Sequence, residues 1–154
     1  MSPRKKKQAP RFSEVMVENY PNLCLEETEV GQGIFAERDF RVGDLAGEVL
    51  GDLYDEEDFE SDYCMDLAGP WVLEPRNIFR YINHSCEPNC ELFVYDDSED
   101  TRVFVEVIRP IKKGEELTID YAWAAEKSIP CLCGKKVCRG WIVAADQLDE
   151  VEKN

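Results

Sequence analysis

Residues 79–90 read Phe79-Arg80-Tyr81-Ile82-Asn83-His84-Ser85-Cys86-Glu87-Pro88-Asn89-Cys90, and no other run limits the chain's folding options so narrowly. An apolar start gives way to side chains that hydrogen-bond, among them the single histidine of the protein. The run fits neither the 3.6-residue repeat of an amphipathic helix nor the alternation of a half-buried strand. Asn, Ser and the Pro88-Asn89 pair bond their own backbone and fix turns, so the chain leaves a strand here along one defined path. Such a path can carry a site. A histidine near a cysteine is, alone, most simply a hydrogen-bonded structural residue; its meaning depends on the motifs that accompany it.

At 154 residues the chain suffices for one domain with a real core and is too short for two of ordinary size. No apolar run approaches the ~20 residues a membrane span needs. The basic start runs into Gln8, Ala9 and Pro10 instead of the apolar block of a secretory signal, so an intracellular protein is expected. Seven cysteines are an odd number, and Cys131, Cys133 and Cys138 lie close together. That spacing suits metal ligation in a reducing compartment better than a disulfide framework.

The net charge of −15 is unevenly spread. Five of the 18 basic residues fall in the first eleven positions, leaving 13 basic against 33 acidic side chains in the rest. An acidic body disfavours direct nucleic-acid binding, which needs clustered Lys and Arg on the folded surface. It attracts a basic partner such as a lysine- and arginine-rich peptide, and it also serves solubility.

Residues 1–11 are expected to form a disordered basic arm, and the four cations at 4–7 are too short a run to define an import or nucleic-acid signal. Val15, Val17, Leu23 and Leu25 recur at spacing two around a turn containing Pro21, which predicts strands. Gly31-Gln32-Gly33 lets the backbone turn tightly and leaves its amides open to a ligand. It is not a dinucleotide fingerprint, because no third glycine and no helix follow at the required spacing. The acidic run 52–62 suits a short helix or loop pinned by Tyr54, Phe59 and Tyr63. Residues 92–95 and 103–108 predict a hairpin around an acidic turn. Gly114 then turns the chain into Glu115-Glu116-Leu117-Thr118-Ile119-Asp120-Tyr121, and the C-x-C-x4-C cluster of Cys131, Cys133 and Cys138 follows. Three thiolates leave a tetrahedral zinc one ligand short of a closed structural site. Cys24, Cys64 and Cys90 read as small core residues.

In this order the motifs resemble those of SET-domain protein lysine methyltransferases. Residues 83–90 match N-H-S-C-x-P-N-C, and Asn77 precedes Arg80 as in the family's G-N-x-x-R-F. Glu74, Pro75 and Arg76 replace the family's Asp-Ala and glycine. Gly31-Gln32-Gly33 matches its G-x-G, Gly47-Glu48-Val49 its Gly-Glu-Val, Tyr63-Cys64-Met65 its Tyr-x-Met, and residues 114–121 its G-E-E-L-T-x-D-Y. Residues 131–141 resemble the post-SET segment. The likeness spans residues 23–142.

The resemblance implies a mainly β fold, several short sheets around a pseudoknot with few short helices and a C-terminal zinc-binding post-SET segment. It divides the chain into a basic arm (1–11), a SET domain (12–124), a post-SET segment (125–143) and an acidic, fraying tail (144–154). It implies an S-adenosylmethionine-dependent protein lysine N-methyltransferase acting on histone tails or another basic protein, in the nucleus or on the chromosome of a eukaryote or the cytoplasm of a bacterium. Tyr121 would be the catalytic tyrosine and Tyr63 the second wall of the lysine channel. Gly31, Gln32, Gly33, Tyr63, Arg80, Asn83, His84 and Trp141 would surround the methyl donor, and Trp123 would line the substrate channel with Ile119. Ile119 stands where the family usually has Phe or Tyr; unable to hydrogen-bond an amine, it leans toward room for higher methylation unless another tyrosine occupies the space, so the number of methyl groups stays open. Cys86 would join Cys131, Cys133 and Cys138 as the fourth zinc ligand. A different class stays open: a SET module that binds a basic peptide or chromatin partner without turnover. A small zinc-binding interaction domain would require the G-x-G and Asp-Tyr motifs to be accidental.

Overall fold

The computed structural model describes residues 20–54, 63–67, 71–96 and 101–152. The basic arm, Val15 and Val17, Phe59 and the hairpin turn at 97–100 lie outside the described residues. Short strands dominate: β1 (Leu23–Thr28), β2 (Gly31–Ala36), β3 (Leu45–Val49), β4 (Gly51–Tyr54), β5 (Met65–Asp66), β6 (Val72–Pro75), β7 (Asn83–His84), β8 (Cys90–Asp96), β9 (Thr101–Val107), β10 (Glu116–Ile119), β11 (Ile129–Pro130) and β12 (Trp141–Ile142). A 3₁₀ turn over Ile78–Tyr81 precedes β7, and one short helix, α1 (Leu148–Glu152), closes the described chain.

The strands form small sheets in the orders β1-β2-β10-β7, β3-β9-β8, β4-β6-β5 and β11-β12. The predicted hairpin is β8–β9, registered from Cys90 opposite Val107 to Asp96 opposite Thr101. Its second strand follows the two-residue repeat, with Thr101, Val103, Val105 and Val107 buried and Arg102 exposed between them. Ile34, Phe79, Val105, Val107, Ile111 and Leu117 are among the most deeply buried side chains, so the core lies where three of the sheets meet around the Ile78–Tyr81 turn. Asn77 caps that turn by accepting from the Phe79 N–H at 3.3 Å and ties it to β3 by donating to the Glu48 carbonyl at 2.9 Å.

The structure departs from the sequence expectations at three places. Asp52 and Tyr54 belong to β4 and not to a helix or loop, and the Asp52 carboxylate is buried, 3.3 Å from the Arg76 Nε. Glu74-Pro75, the replacement for the family's residues, ends β6 opposite Gly51 and Asp52, and Glu74 takes the Arg80 guanidinium at 2.8 Å. The exchange therefore supplies its own ion pairs. Residues 144–152 do not fray: the Ala144 N–H bonds the Trp123 carbonyl at 2.8 Å, the Gln147 side chain accepts from the Ala125 N–H at 2.9 Å, and Val143 is fully buried.

Cys90 is fully buried, and burial pushes its thiol up to about 12 from 9.0. A raised folded-state value means the stabilisation is whole below about pH 9 and is lost as pH rises toward the folded value, because only the unfolded chain releases the proton. Cys90→Val removes this titration. Between pH 9 and 10.5 the wild type should lose more stability than the variant, at about 0.7 kcal/mol per pH unit at the start and approaching ~1.4 at the end of the range, read from urea midpoints.

Candidate active site

The polar run of residues 83–90 does two things at once. Asn83 and His84 form β7, which pairs in parallel with Thr118 and Ile119 of β10, while β10 pairs antiparallel with β2 on its other edge. The Asp-Tyr segment that follows β10 is thus laid beside the N-H-S-C segment, as the resemblance implied. Asn89 reinforces the junction: its Nδ2 donates to the Glu116 carbonyl at 2.8 Å and its Oδ1 accepts from the Thr118 N–H at 2.9 Å.

Tyr121 leaves β10 with both of its donors held. Its backbone N–H donates to His84 Nδ1 at 3.1 Å, and its hydroxyl donates to the Ile82 carbonyl at 2.5 Å. Burial, with Glu116 adding to it, pushes the phenol above its ordinary 10.0, so the hydroxyl stays protonated at neutral pH. Trp123 lies against the Tyr121 ring with centroids 5.2 Å apart, and the His84 ring lies 5.4 Å away on another side.

Two cavities open here, one of about 560 Å³ and one of about 750 Å³. Val30, Asn83, Tyr121 and Trp123 line both and form their common wall. The smaller is also lined by Tyr63, Arg80, Tyr81, Ile119, Glu91 and Asp120. The larger is also lined by His84, Glu29, Glu87, Glu116, Ile129 and Ile142. Asn83 Nδ2 bridges the Gln32 carbonyl at 3.0 Å and a Glu116 carboxylate oxygen at 2.8 Å. Gly33 leaves room for that bridge, since a Cβ there would push against the side-chain ends of Glu116, Thr28 and Asn83. At Gly31, with φ of 107°, a Cβ would meet open space, so a ligand can approach this backbone closely.

Beside the larger cavity, the Sγ atoms of Cys86, Cys131, Cys133 and Cys138 all lie within 4.8 Å of one another, and Cys86 and Cys131 are 3.8 Å apart. Metal–sulfur bonds of ~2.3 Å in a tetrahedron place sulfurs ~3.8 Å apart, so the cluster can take a metal ion. Burial pushes the Cys131 and Cys86 thiols up; burial also acts on Cys133, but hydrogen bonds from the Cys86 and Lys135 backbone bring it down to about 7. The adjoining Arg139 donates to Asp120 at 2.8 Å, fastening the cysteine segment to the residue before Tyr121.

Of the residues expected around the donor, Asn83 lines both cavities, Tyr63 and Arg80 only the smaller and His84 only the larger; Gly31, Gln32, Gly33 and Trp141 line neither. Trp141 is half-buried in β12, paired with Pro130. The Arg80 guanidinium stacks on the Tyr63 ring at 3.9 Å and is held by Glu74. The His84 ring faces Tyr121 and Cys86, leaving its backbone as the part directed elsewhere. Asn89, Glu116, Asp120 and Arg139 went unassigned in the sequence. Only the recurrence of Asn within the polar run pointed to one of them.

The chain belongs to the SET domain family, whose model matches residues 31–122. It is 34% identical over 151 residues to histone-lysine N-methyltransferase Set2 of Drosophila melanogaster, across 87% of this chain and 6% of that protein. It is 33% identical over 153 residues to the H3 lysine-36 specific histone-lysine N-methyltransferase of Aspergillus fumigatus, across 87% of this chain and 16% of that one. The chain therefore spans a small part of the curated relatives it matches. Among solved structures, that of KRYPTONITE in complex with mCHG DNA and SAH superposes with a TM-score of 0.70 at 25% identity, covering 79% of this chain and 29% of that one.

Asp120→Ala removes the partner of Arg139 Nη2 from a side chain whose Nε is already buried without a partner among the described residues. Local stability of the segment 131–142 should fall by about 1–3 kcal/mol. Hydrogen exchange should speed at the Cys131 and Cys138 amides, whose acceptors lie within that segment, and remain slow in β9.

Proposed function

We propose that this chain is an S-adenosylmethionine-dependent protein lysine N-methyltransferase acting on a basic protein such as a histone tail, with Tyr121 as its catalytic residue. The observation that carries this reading is the position of Tyr121, half-buried and with a phenol that stays neutral, on the wall that two cavities share. Two reactants can meet only where their pockets meet. The SAH held by the structural neighbour and the names of the relatives support the same chemistry.

When bound, the donor supplies a methyl carbon on a sulfonium; the lysine nitrogen lone pair forms the new C–N bond as the C–S bond breaks, leaving a neutral thioether. Everything else falls to this chain. Its cavities are of ligand size, and the carboxylates of Glu29 and Glu116 along the larger one fit a donor that carries positive charge. Glu91 draws an ammonium into the smaller cavity, while Ile119 and the aromatic rings of Tyr63, Tyr81 and Trp123 exclude water. A lysine with a pKa near ~10.4 in water must lose its proton first, and a dry channel pushes that value down. The Tyr121 hydroxyl, its proton committed to the Ile82 carbonyl, keeps oxygen lone pairs to direct the amine. It acts by alignment, which can supply several kcal/mol of the barrier.

The four cysteines would hold a structural zinc, which closes the segment 131–142 over the site without taking part in transfer.

Transfer of labelled methyl from S-adenosylmethionine to core histones and to a cell extract tests the reading. Wild type should label lysine, and Tyr121→Phe should reduce the rate by at least ~100-fold while lowering stability by only about 1 kcal/mol. Absence of label with donor binding intact would favour the non-catalytic peptide-binding module. Metal analysis should find one zinc per chain, and Cys138→Ser should cut zinc retention and methyl transfer together, roughly 10–100-fold in rate.

A further inference from the structure

The His84 side chain is 2% exposed and both of its ring nitrogens are engaged by protein. Nδ1 accepts the Tyr121 backbone N–H at 3.1 Å, and Nε2 lies 3.4 Å from Cys86 Sγ. A backbone N–H can only donate, so Nδ1 carries a lone pair; in a neutral imidazole the proton then sits on Nε2, facing the sulfur. The surrounding charges leave this arrangement in place. Asp120 Oδ1 is 3.7 Å from Nδ1 but is taken up by Arg139 Nη2 at 2.8 Å and the Ala122 N–H at 2.9 Å. One hydrogen-bonded line thus runs from a sulfur of the cysteine cluster to the backbone of Tyr121. A metal-bound cysteine is a thiolate, and a thiolate is a stronger acceptor than a neutral thiol.

We propose that His84 is a positioning residue: the Cys86 thiolate of the metal-loaded cluster holds its imidazole in the Nε2–H tautomer, and the Nδ1 lone pair so fixed sets the Tyr121 backbone and, with it, the Tyr121 side chain that lines both cavities. The metal then governs the geometry of the site and not only the closure of the segment around it. This inference deepens the methyltransferase reading and rests on it for the role of Tyr121, but its first test involves no methyl transfer.

The chain has one histidine, so its imidazole nitrogens give a single, unambiguous set of signals. Long-range nitrogen–proton spectra of the nitrogen-15-labelled, zinc-loaded full chain should contain only the Nε2–H tautomer. Replacing zinc by cadmium keeps four thiolates and a folded chain; it should shift the His84 Nε2 signal and the Tyr121 amide while leaving the Val103 and Val105 amides unmoved. An Nδ1–H tautomer, an imidazolium near neutral pH, or His84 and Tyr121 signals that ignore the exchange of metal would overturn the proposal. His84→Asn retains an acceptor near the Nδ1 position and loses the group that reaches Cys86. Its metal content should be kept and its kcat reduced roughly 10–100-fold, with KM for the basic protein little changed; an unchanged kcat would also overturn the proposal. If the tautomer and the metal-dependent shifts are as stated but no protein is methylated, the relay stands and the methyltransferase reading falls.

Discussion

Thr118 and Ile119 lie parallel to Asn83 and His84, and that two-residue ladder is what the site hangs from. Parallel pairing so short is weak by itself. It holds because side chains complete what the backbone cannot. The Asn89 carboxamide uses its donor on Glu116 and its acceptor on Thr118, while Asn83 reaches across to the Gln32 carbonyl of β2. Three stretches far apart in sequence are thereby locked in one register before any ligand arrives. Tyr121, two residues beyond the ladder, inherits its position from that lock.

The electrostatics follow a related logic. In a chain of net charge −15, three arginines around the site are committed to specific carboxylates: Arg76 to Asp52, Arg80 to Glu74, Arg139 to Asp120. Each pair has at least one member largely withdrawn from water, so breaking it leaves a costly unpaired charge, unlike the exposed Arg109–Glu87 pair. With those cations committed, the carboxylates that remain along the cavities present negative potential to whatever enters. A positively charged donor and a lysine side chain both suit that field.

Much of this was legible in the sequence because the chemistry-bearing residues come in spaced motifs. The hairpin β8–β9 followed from alternation and the gathering of four cysteines from C-x-C-x4-C plus the resemblance, while the role proposed for Tyr121 rests on the resemblance for its first clue. What escaped was long-range and polar. Nothing local in Asp120 and Arg139 says that they meet, nor that Glu74 answers Arg80, because ion pairs across a fold leave no periodicity. His84 illustrates the limit best. Its motif implied a place beside the methyl donor, while the ring is turned toward Cys86 and the Tyr121 amide. The residues 144–152 were misjudged for a similar reason: acidic composition suggests fraying, but one buried valine and one glutamine side chain suffice to dock the segment.

Ile119 brings core and site into one position. It is 3% exposed, belongs to the hydrophobic core with Leu117 one pleat away, and also lines the smaller cavity. A residue in the middle of β10 must first satisfy the alternation that buries every second side chain of that strand. A β-branched aliphatic chain does so without a polar atom to satisfy, which an inward tyrosine at the same place would bring. The polarity of that cavity therefore has to come from residues outside the strand, and Tyr63, Tyr81 and Tyr121 line it as well. The packing demands of one short strand thus decide which side chains are left to give the cavity its polar character.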